Sequence, residues 1–160
     1  METALQIKLK LVRKRLRSIH AYVDRQVLER EAETVSAFNA LLSGHSYLLI
    51  GDAGAAKSYH IRLICSLLGL SMFDILMSQF TKPDAIFGPS DIPGLAKGVQ
   101  RRKLEGYAAT AETVFFDEVF KASDVVLNPL LQFLNERTYN NGDDGIIECP
   151  LITAFAASNE

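Results

Sequence analysis

The run Tyr47-Leu48-Leu49-Ile50 passes directly into Gly51-Asp52-Ala53-Gly54-Ala55-Ala56-Lys57-Ser58, and then into a stretch, His60 to Leu68, with helical spacing. A short apolar run rich in β-formers reads as a strand buried on both faces. Small residues between a strand and a helix allow successive backbone N–H groups to close around phosphate oxygens at the helix N-terminus. The lysine supplies the counter-charge, and the hydroxyl after it supplies a ligand for magnesium. Gly51, Gly54, Lys57 and Ser58 stand where such a loop requires them, while Ala56 occupies the position where the usual pattern has glycine.

Two further strand tips carry chemistry. Thr113-Val114-Phe115-Phe116 is apolar and ends in Asp117-Glu118, adjacent carboxylates at what should be the carboxyl edge of a sheet. Such a pair needs a cation or a proton to manage its charge; Asp117 suits a magnesium shell, and Glu118 suits polarising a water that attacks a terminal phosphate. A last strand, Leu151 to Ala156, leads into Ser158-Asn159, where an amide between the other two tips can orient phosphate against water. Strands alternating with helices give a parallel sheet, and the expected fold is a three-layer α/β/α arrangement around it.

The remaining chain divides at about residue 26. Leu5, Leu9, Val12, Leu16, Ile19 and Val23 form one helical stripe, with Lys8, Lys10, Arg13, Lys14, Arg15 and Arg17 between them. The expectation is that this stripe packs on its own domain with the cations solvated, although a basic amphipathic helix also suits a membrane surface or nucleic acid. A second helix from about Glu29 places Ala32, Val35, Phe38, Leu41 and Leu42 on one side and stops at Ser43-Gly44. Met72 to Met77 is a further strand, followed by a long loop punctuated by Pro83, Gly88, Pro89, Pro93 and Gly94. Gly98 to Gly106 reads as a hairpin or an irregular insertion, with Arg101, Arg102 and Lys103 solvated or in contact with another molecule. A helix runs from about Ser123 to Arg137, although Pro129 within it removes a backbone donor. Asn140 to Gly145 reads as a turn.

Composition excludes several classes. With 48% apolar and 22% charged residues and a formal charge of −2, the chain has a core but no overall cationic field for non-specific nucleic-acid binding. Cys65 and Cys149 lack metal or disulfide spacing and suit a reducing compartment, here the cytoplasm. His20, His45 and His60 show no metal spacing, His60 reads as a packing or surface residue, and no run is long enough to span a bilayer. No segment of the type that reads guanine is present, which disfavours a GTPase.

GDAGAAKS, VFFDEVFKAS, LLQFLNER and AASNE, in this order, resemble the MoxR family of AAA+ ATPases, and RavA-like members most closely; QVLERE and FTKPDAIFGP share the likeness. The resemblance covers Val27 to Glu160 and implies a P-loop NTPase core over residues 27–160. In that family alanine before the lysine is ordinary. The resemblance implies ATP and Mg2+ as ligands, with the loop Gly51, Asp52, Ala53, Gly54, Ala55, Ala56, Lys57, Ser58 and Tyr59 around the phosphates. Ser58 and Asp117 would hold magnesium, Glu118 would be the catalytic base, Asn159 the first sensor, and Val27 and Leu28 would line the adenine pocket. Glu136 and Arg137 match an NER signature that faces a neighbouring subunit, with a solvated ion pair as the alternative. A hexameric ring that remodels or matures client proteins, often beside a von Willebrand factor A domain partner, is further implied. A last core strand, an arginine finger, a second sensor and a helical lid have no counterpart in the sequence, so the fragment is expected to bind nucleotide better than it hydrolyses it. Two other readings remain open at this point: a nucleotide-responsive assembly module without hydrolysis, and a nucleic-acid motor.

Overall fold

The computed structural model describes residues 3–51 and 56–159. The expectations placed on Asp52, Ala53, Gly54 and Ala55 therefore lie outside the described residues.

Two helices, α1 (Ala4–Gln26) and α2 (Glu31–Ser43), precede strand β1 (Tyr47–Ile50). After the loop come α3 (Lys57–Leu68), β2 (Met72–Leu76) and two short helices, α4 (Pro83–Phe87) and α5 (Ile92–Leu95). Then follow β3 (Thr113–Asp117), α6 (Asp124–Glu136), the hairpin strands β4 (Thr138–Asn140) and β5 (Ile146–Glu148), and β6 (Thr153–Ser158). The main sheet runs β1-β6-β3-β2 with every pairing parallel. The last strand in sequence thus lies between the first and the third, and its tip falls between theirs.

Alternation along the central strands builds the layers. Phe115 and Phe155 face one side with Leu49, packed on Ile19 and Val23 of α1, Phe38 of α2 and Ile61 and Ile64 of α3. Val114, Phe116 and Ala154 face the other, against Phe87 of α4 and Val126, Leu130 and Phe133 of α6. Phe115 and Phe155 are 1% and 0% exposed, and each such ring contributes about 2–3 kcal/mol of hydrophobic stabilisation. Strands covered on both faces read as continuous apolar runs, which is why VFF and AFAA show no polar alternation. The three-layer α/β/α architecture expected from sequence is the one observed. Cys65 and Cys149 are buried free thiols, and burial raises the pKa of both.

Several elements differ from expectation. The stripe on α1 is covered only at its C-terminal end: Ile19 and Val23 are buried, while Leu5, Leu9 and Val12 are 66%, 49% and 49% exposed. On α2 the buried face is Thr34, Ala37, Phe38 and Ala40, and Val35 and Leu42 point outward. The reason is polar: Thr34 donates to the Arg30 carbonyl at 2.8 Å and meets His60 Nε2 at 3.0 Å, a pairing that an apolarity pattern cannot register. Of the two roles expected of His60, packing and surface, it takes the first, being 1% exposed. The final strand begins two residues later than expected, at Thr153, because Leu151 and Ile152 still serve the connection from the hairpin. The turn expected at 140–145 is the tip of the β4–β5 hairpin, whose three-residue strands are too short to show a period.

Pro129 lies in the second turn of α6 and the helix runs through it. The carbonyl deprived of a donor is that of Val125, a residue 69% exposed, so water satisfies it.

Residues 98–106 form no hairpin of their own; a single bridge joins Ser90 to Arg102. The segment is fastened to the β4–β5 tip instead. Asn141 Oδ1 accepts the Arg102 N–H at 2.8 Å, Asp143 Oδ2 accepts the Gln100 N–H at 2.6 Å, and the Asp143 N–H returns to the Gln100 carbonyl at 2.9 Å. Gly142 is required there, since a Cβ would sit 2.1 Å from the Gln100 carbonyl oxygen. Arg101 and Arg102 also form ion pairs within the chain: Arg101, still exposed, pairs with Asp91 at 3.0 Å and Asp144 at 3.5 Å, and the half-buried Arg102 with Asp84 at 2.6 Å. The Arg101 hydrogen bond holds the Asp91 carboxyl below the usual carboxylate range.

Candidate functional site

Parallel pairing brings three strand ends to one edge. Ile50 lies opposite Ser158 and Phe116 opposite Ala156, so the residues just beyond β1, β3 and β6 are neighbours although distant in sequence. Lys57, the first residue of α3, reaches back over this edge. Its Nζ donates to the carbonyls of Gly51 at 2.7 Å and Ser158 at 3.3 Å, and to Asn159 Oδ1 at 2.7 Å. The Asn159 amide then donates from Nδ2 to Glu118 Oε1. Ammonium, amide and carboxylate form one chain, and the charges fix the amide: its oxygen faces the cation and its nitrogen faces the anion.

Glu118 is positioned by backbone strain. It adopts φ 53°, ψ 43°, a left-handed conformation that costs a non-glycine residue about 1–2 kcal/mol. The bend turns the carboxylate off the strand end and back across the edge. Its side chain is 12% exposed, and Oε2 is buried without a hydrogen-bond partner; the nearby cation is Lys121 Nζ at 3.3 Å. A buried carboxylate oxygen that takes no hydrogen bond is an acceptor for a water or hydroxyl proton. Asp117, at the tip of β3, takes the Glu118 N–H on Oδ1 at 3.1 Å.

Ala56, immediately before Lys57, also lies in the left-handed region at φ 52°, ψ 21°. The sequence departure at this position is thus an alanine in the conformation that glycine favours. Ser58 is half-buried in the first turn of α3, one residue from Lys57, and Tyr59 is 53% exposed. Ser58 and Asp117 offer a hydroxyl and a carboxylate, hard oxygen donors of the kind magnesium takes beside phosphate oxygens. Val27, 7% exposed, ends α1, and Leu28 beside it is 79% exposed.

Glu136 and Arg137 form no solvated ion pair with each other. Arg137 closes α6 in the left-handed conformation, φ 55°, and its guanidinium turns inward, donating from Nη1 to the Leu151 carbonyl at 2.5 Å and from Nη2 to the Gly44 carbonyl at 2.6 Å. It ties the α2–β1 turn to the segment just before β6. Glu136 accepts from Gln132 at 3.3 Å and Thr138 at 3.4 Å.

Sequence reading missed two contributors. Lys121 beside Glu118 was visible only as a cation three positions after the acidic pair. His60, behind the loop, is held by Thr34; burial lowers its pKa, with the Arg30 cation acting the same way and the Glu33 and Asp24 carboxylates opposing. Because Thr34 donates to Arg30, it accepts from His60, which fixes the proton on Nε2 and leaves Nδ1 a buried acceptor without a partner.

Comparison with known proteins bears on the family and the fold. Two uncharacterised proteins of Methanocaldococcus jannaschii are each 42% identical over 147 and 146 residues, covering 91% of this chain and 38% and 39% of their own lengths. A structural protein of Acidianus two-tailed virus is 33% identical over 144 residues, covering 86% of this chain and 23% of its own. The chain therefore spans less than two fifths of the curated relatives it matches. A crystallised protein of Cytophaga hutchinsonii, described as a candidate ATPase, shares the fold with a TM-score of 0.69 at 19% identity, over 96% of this chain and 48% of that one. The model of the MoxR domain in the MoxR-vWA-beta-propeller ternary systems matches residues 14–160. With both the fold and nine tenths of the sequence accounted for, the chain belongs to the MoxR family of AAA+ ATPases, in the branch found in those ternary systems.

Proposed function

We propose that the chain binds ATP with magnesium across the tips of β1, β3 and β6 and hydrolyses it, as the nucleotide-binding part of a ring-forming ATPase. The observation that carries this reading is the chain from Lys57 through Asn159 to Glu118, a cation and a base separated by one oriented amide.

The N-terminus of α3 and Lys57 offer the positive end of a helix and an ammonium to the β- and γ-phosphates. Ser58 and Asp117 would hold magnesium, whose charge would offset that developing on the phosphate oxygens. Glu118 would take the proton of the attacking water on Oε2, which accepts no hydrogen bond among the described residues and lies 3.3 Å from Lys121 Nζ. Asn159 spans the two reactants: Oδ1 keeps the ammonium in place and Nδ2 fixes the plane of the base. In this reading Gly51, Asp52, Ala53, Gly54, Ala55, Ala56 and Tyr59 would contact the phosphates, and Val27 and Leu28 would contact adenine, as the family resemblance implies. The family description supports a von Willebrand factor A domain partner; a hexameric ring that remodels client proteins in the cytoplasm is part of the same proposal. A RavA-like role is part of this proposal.

Glu118→Gln in the full-length protein is expected to retain ATP binding while steady-state turnover falls by at least about a hundredfold. Lys57→Ala is expected to lose ATP binding by calorimetry. A fully active Glu118→Gln protein would remove the assigned base, and unchanged affinity in Lys57→Ala would remove the phosphate site.

A further inference from the structure

The exposed half of α1 is an unusual surface. Every residue from Thr3 to Arg15 is exposed, although Leu5, Leu9 and Val12 continue the stripe that Ile19 and Val23 bury. A helical extension of this length is marginal in water on its own. Its flanks carry Lys8, Lys10, Arg13, Lys14, Arg15 and Arg17, and residues 4–23 contain no carboxylate. What covers this face must therefore be apolar along one line and anionic beside it.

Such a surface exists on the opposite side of the sheet. The outer face of α6 exposes Val125 and Leu131, at 69% and 57%, with the exposed amides Asn128 and Asn135 between them around the helix and the exposed carboxylates of Asp124 and Glu136 at its two ends. No cation occurs from Asp124 to Glu136, and the Arg137 guanidinium is turned inward. α6 packs on one face of the sheet through Val126, Leu130 and Phe133, while α1 is rooted on the other through Ile19 and Val23. The two complementary faces look away from each other within one chain.

We propose that α1 of one copy docks on the outer face of α6 of the next copy. Leu5, Leu9 and Val12 cover Val125 and Leu131, and the flanking cations meet Asp124 and Glu136. Pairing α1 with α1 would place like charges together. Because donor and acceptor faces differ, the contact is heterologous and propagates from copy to copy, closing into a ring if the rotation allows. The inference rests on the assembly part of the proposed function and is independent of the nucleotide chemistry.

Sedimentation velocity on the chain without nucleotide tests it. The chain is expected to self-associate at about 0.05 M salt and to weaken at least tenfold at about 0.5 M. One variant carries Leu5→Ser, Leu9→Ser and Val12→Ser; a second carries Val125→Ser and Leu131→Ser. Each alone is expected to be monomeric, and the mixture to form a dimer that grows no further, since one supplies only α6 and the other only α1. Charge reversal, Lys8→Glu with Arg13→Glu against Asp124→Lys with Glu136→Lys, is confined to exposed side chains and should restore association only when the two are mixed. A parent chain that stays monomeric, mixed variants that stay apart, or a monomeric chain that binds phosphatidylserine vesicles through α1 would overturn the proposal. ATP binding measured on the same samples separates this outcome from failure of the catalytic assignment.

Discussion

Lys57 and Asn159, 102 residues apart in sequence, meet at 2.7 Å, and the amide of Asn159 passes on to Glu118. One side chain therefore sets the spacing between the cation and the base. Asn159→Ala removes both contacts, and turnover in the full-length protein is expected to fall by about 10²–10³ while the folded state persists. Asn159→Asp places a carboxylate against Glu118. Two carboxylates at that distance do not both ionise readily, so one pKa rises and the acid limb of the pH–rate profile moves to higher pH. Identical pH profiles for the alanine and aspartate variants would count against this arrangement.

Ala56 occupies the left-handed region directly before Lys57. Ala56→Gly removes a steric cost of about 1–2 kcal/mol but gains unfolded-state entropy worth about 0.4–1 kcal/mol, so a stabilisation of roughly 0.5 kcal/mol is expected. Ala56→Val puts a branched side chain in the same conformation and is expected to cost about 2 kcal/mol or more, with weakened ATP binding. Denaturant midpoints of the two variants, moving in opposite directions, provide the check.

Arg137 joins Gly44 to Leu151 with two charge-assisted hydrogen bonds. Arg137→Ala leaves both carbonyls without their partner and is expected to cost about 2–4 kcal/mol of stability. Lysine lacks the planar fork, so Arg137→Lys should recover less than half of that loss. A melting temperature unchanged by Arg137→Ala would return the residue to a purely intersubunit role.

His60 is buried neutral, with its pKa below the ordinary value of about 6.5 chiefly through desolvation. The unfolded chain binds a proton at that site before the folded chain does. Its contribution to stability is therefore present above about pH 6.5 and declines as pH falls toward the lowered pKa. Melting temperatures measured from pH 8 to 5 should fall, and in His60→Gln the same decline should be shallower. An equally steep decline in the variant would show that other groups control it.

Lys57, the acidic pair and Asn159 were legible beside the strand ends because each belongs to a local pattern: an apolar run stops and a small, charged or amide residue follows it. Local chemistry also predicted the three layers, since strands without polar alternation must be covered on both faces. The covered side of α2 was not legible, because a buried threonine there answers a buried histidine on another helix. Nor was the fastening of residues 98–106 to the β4–β5 tip, whose hydrogen bonds join segments about 40 residues apart.

By itself the sequence determined which groups sit at the strand ends, because the identity and order of residues around a strand boundary follow from short-range rules of burial and backbone freedom. Only the tertiary structure decided that Arg137 faces inward and that half of the α1 stripe is left uncovered. Those outcomes depend on which surfaces compete for the same partner in space, and that competition is settled by packing the whole chain at once.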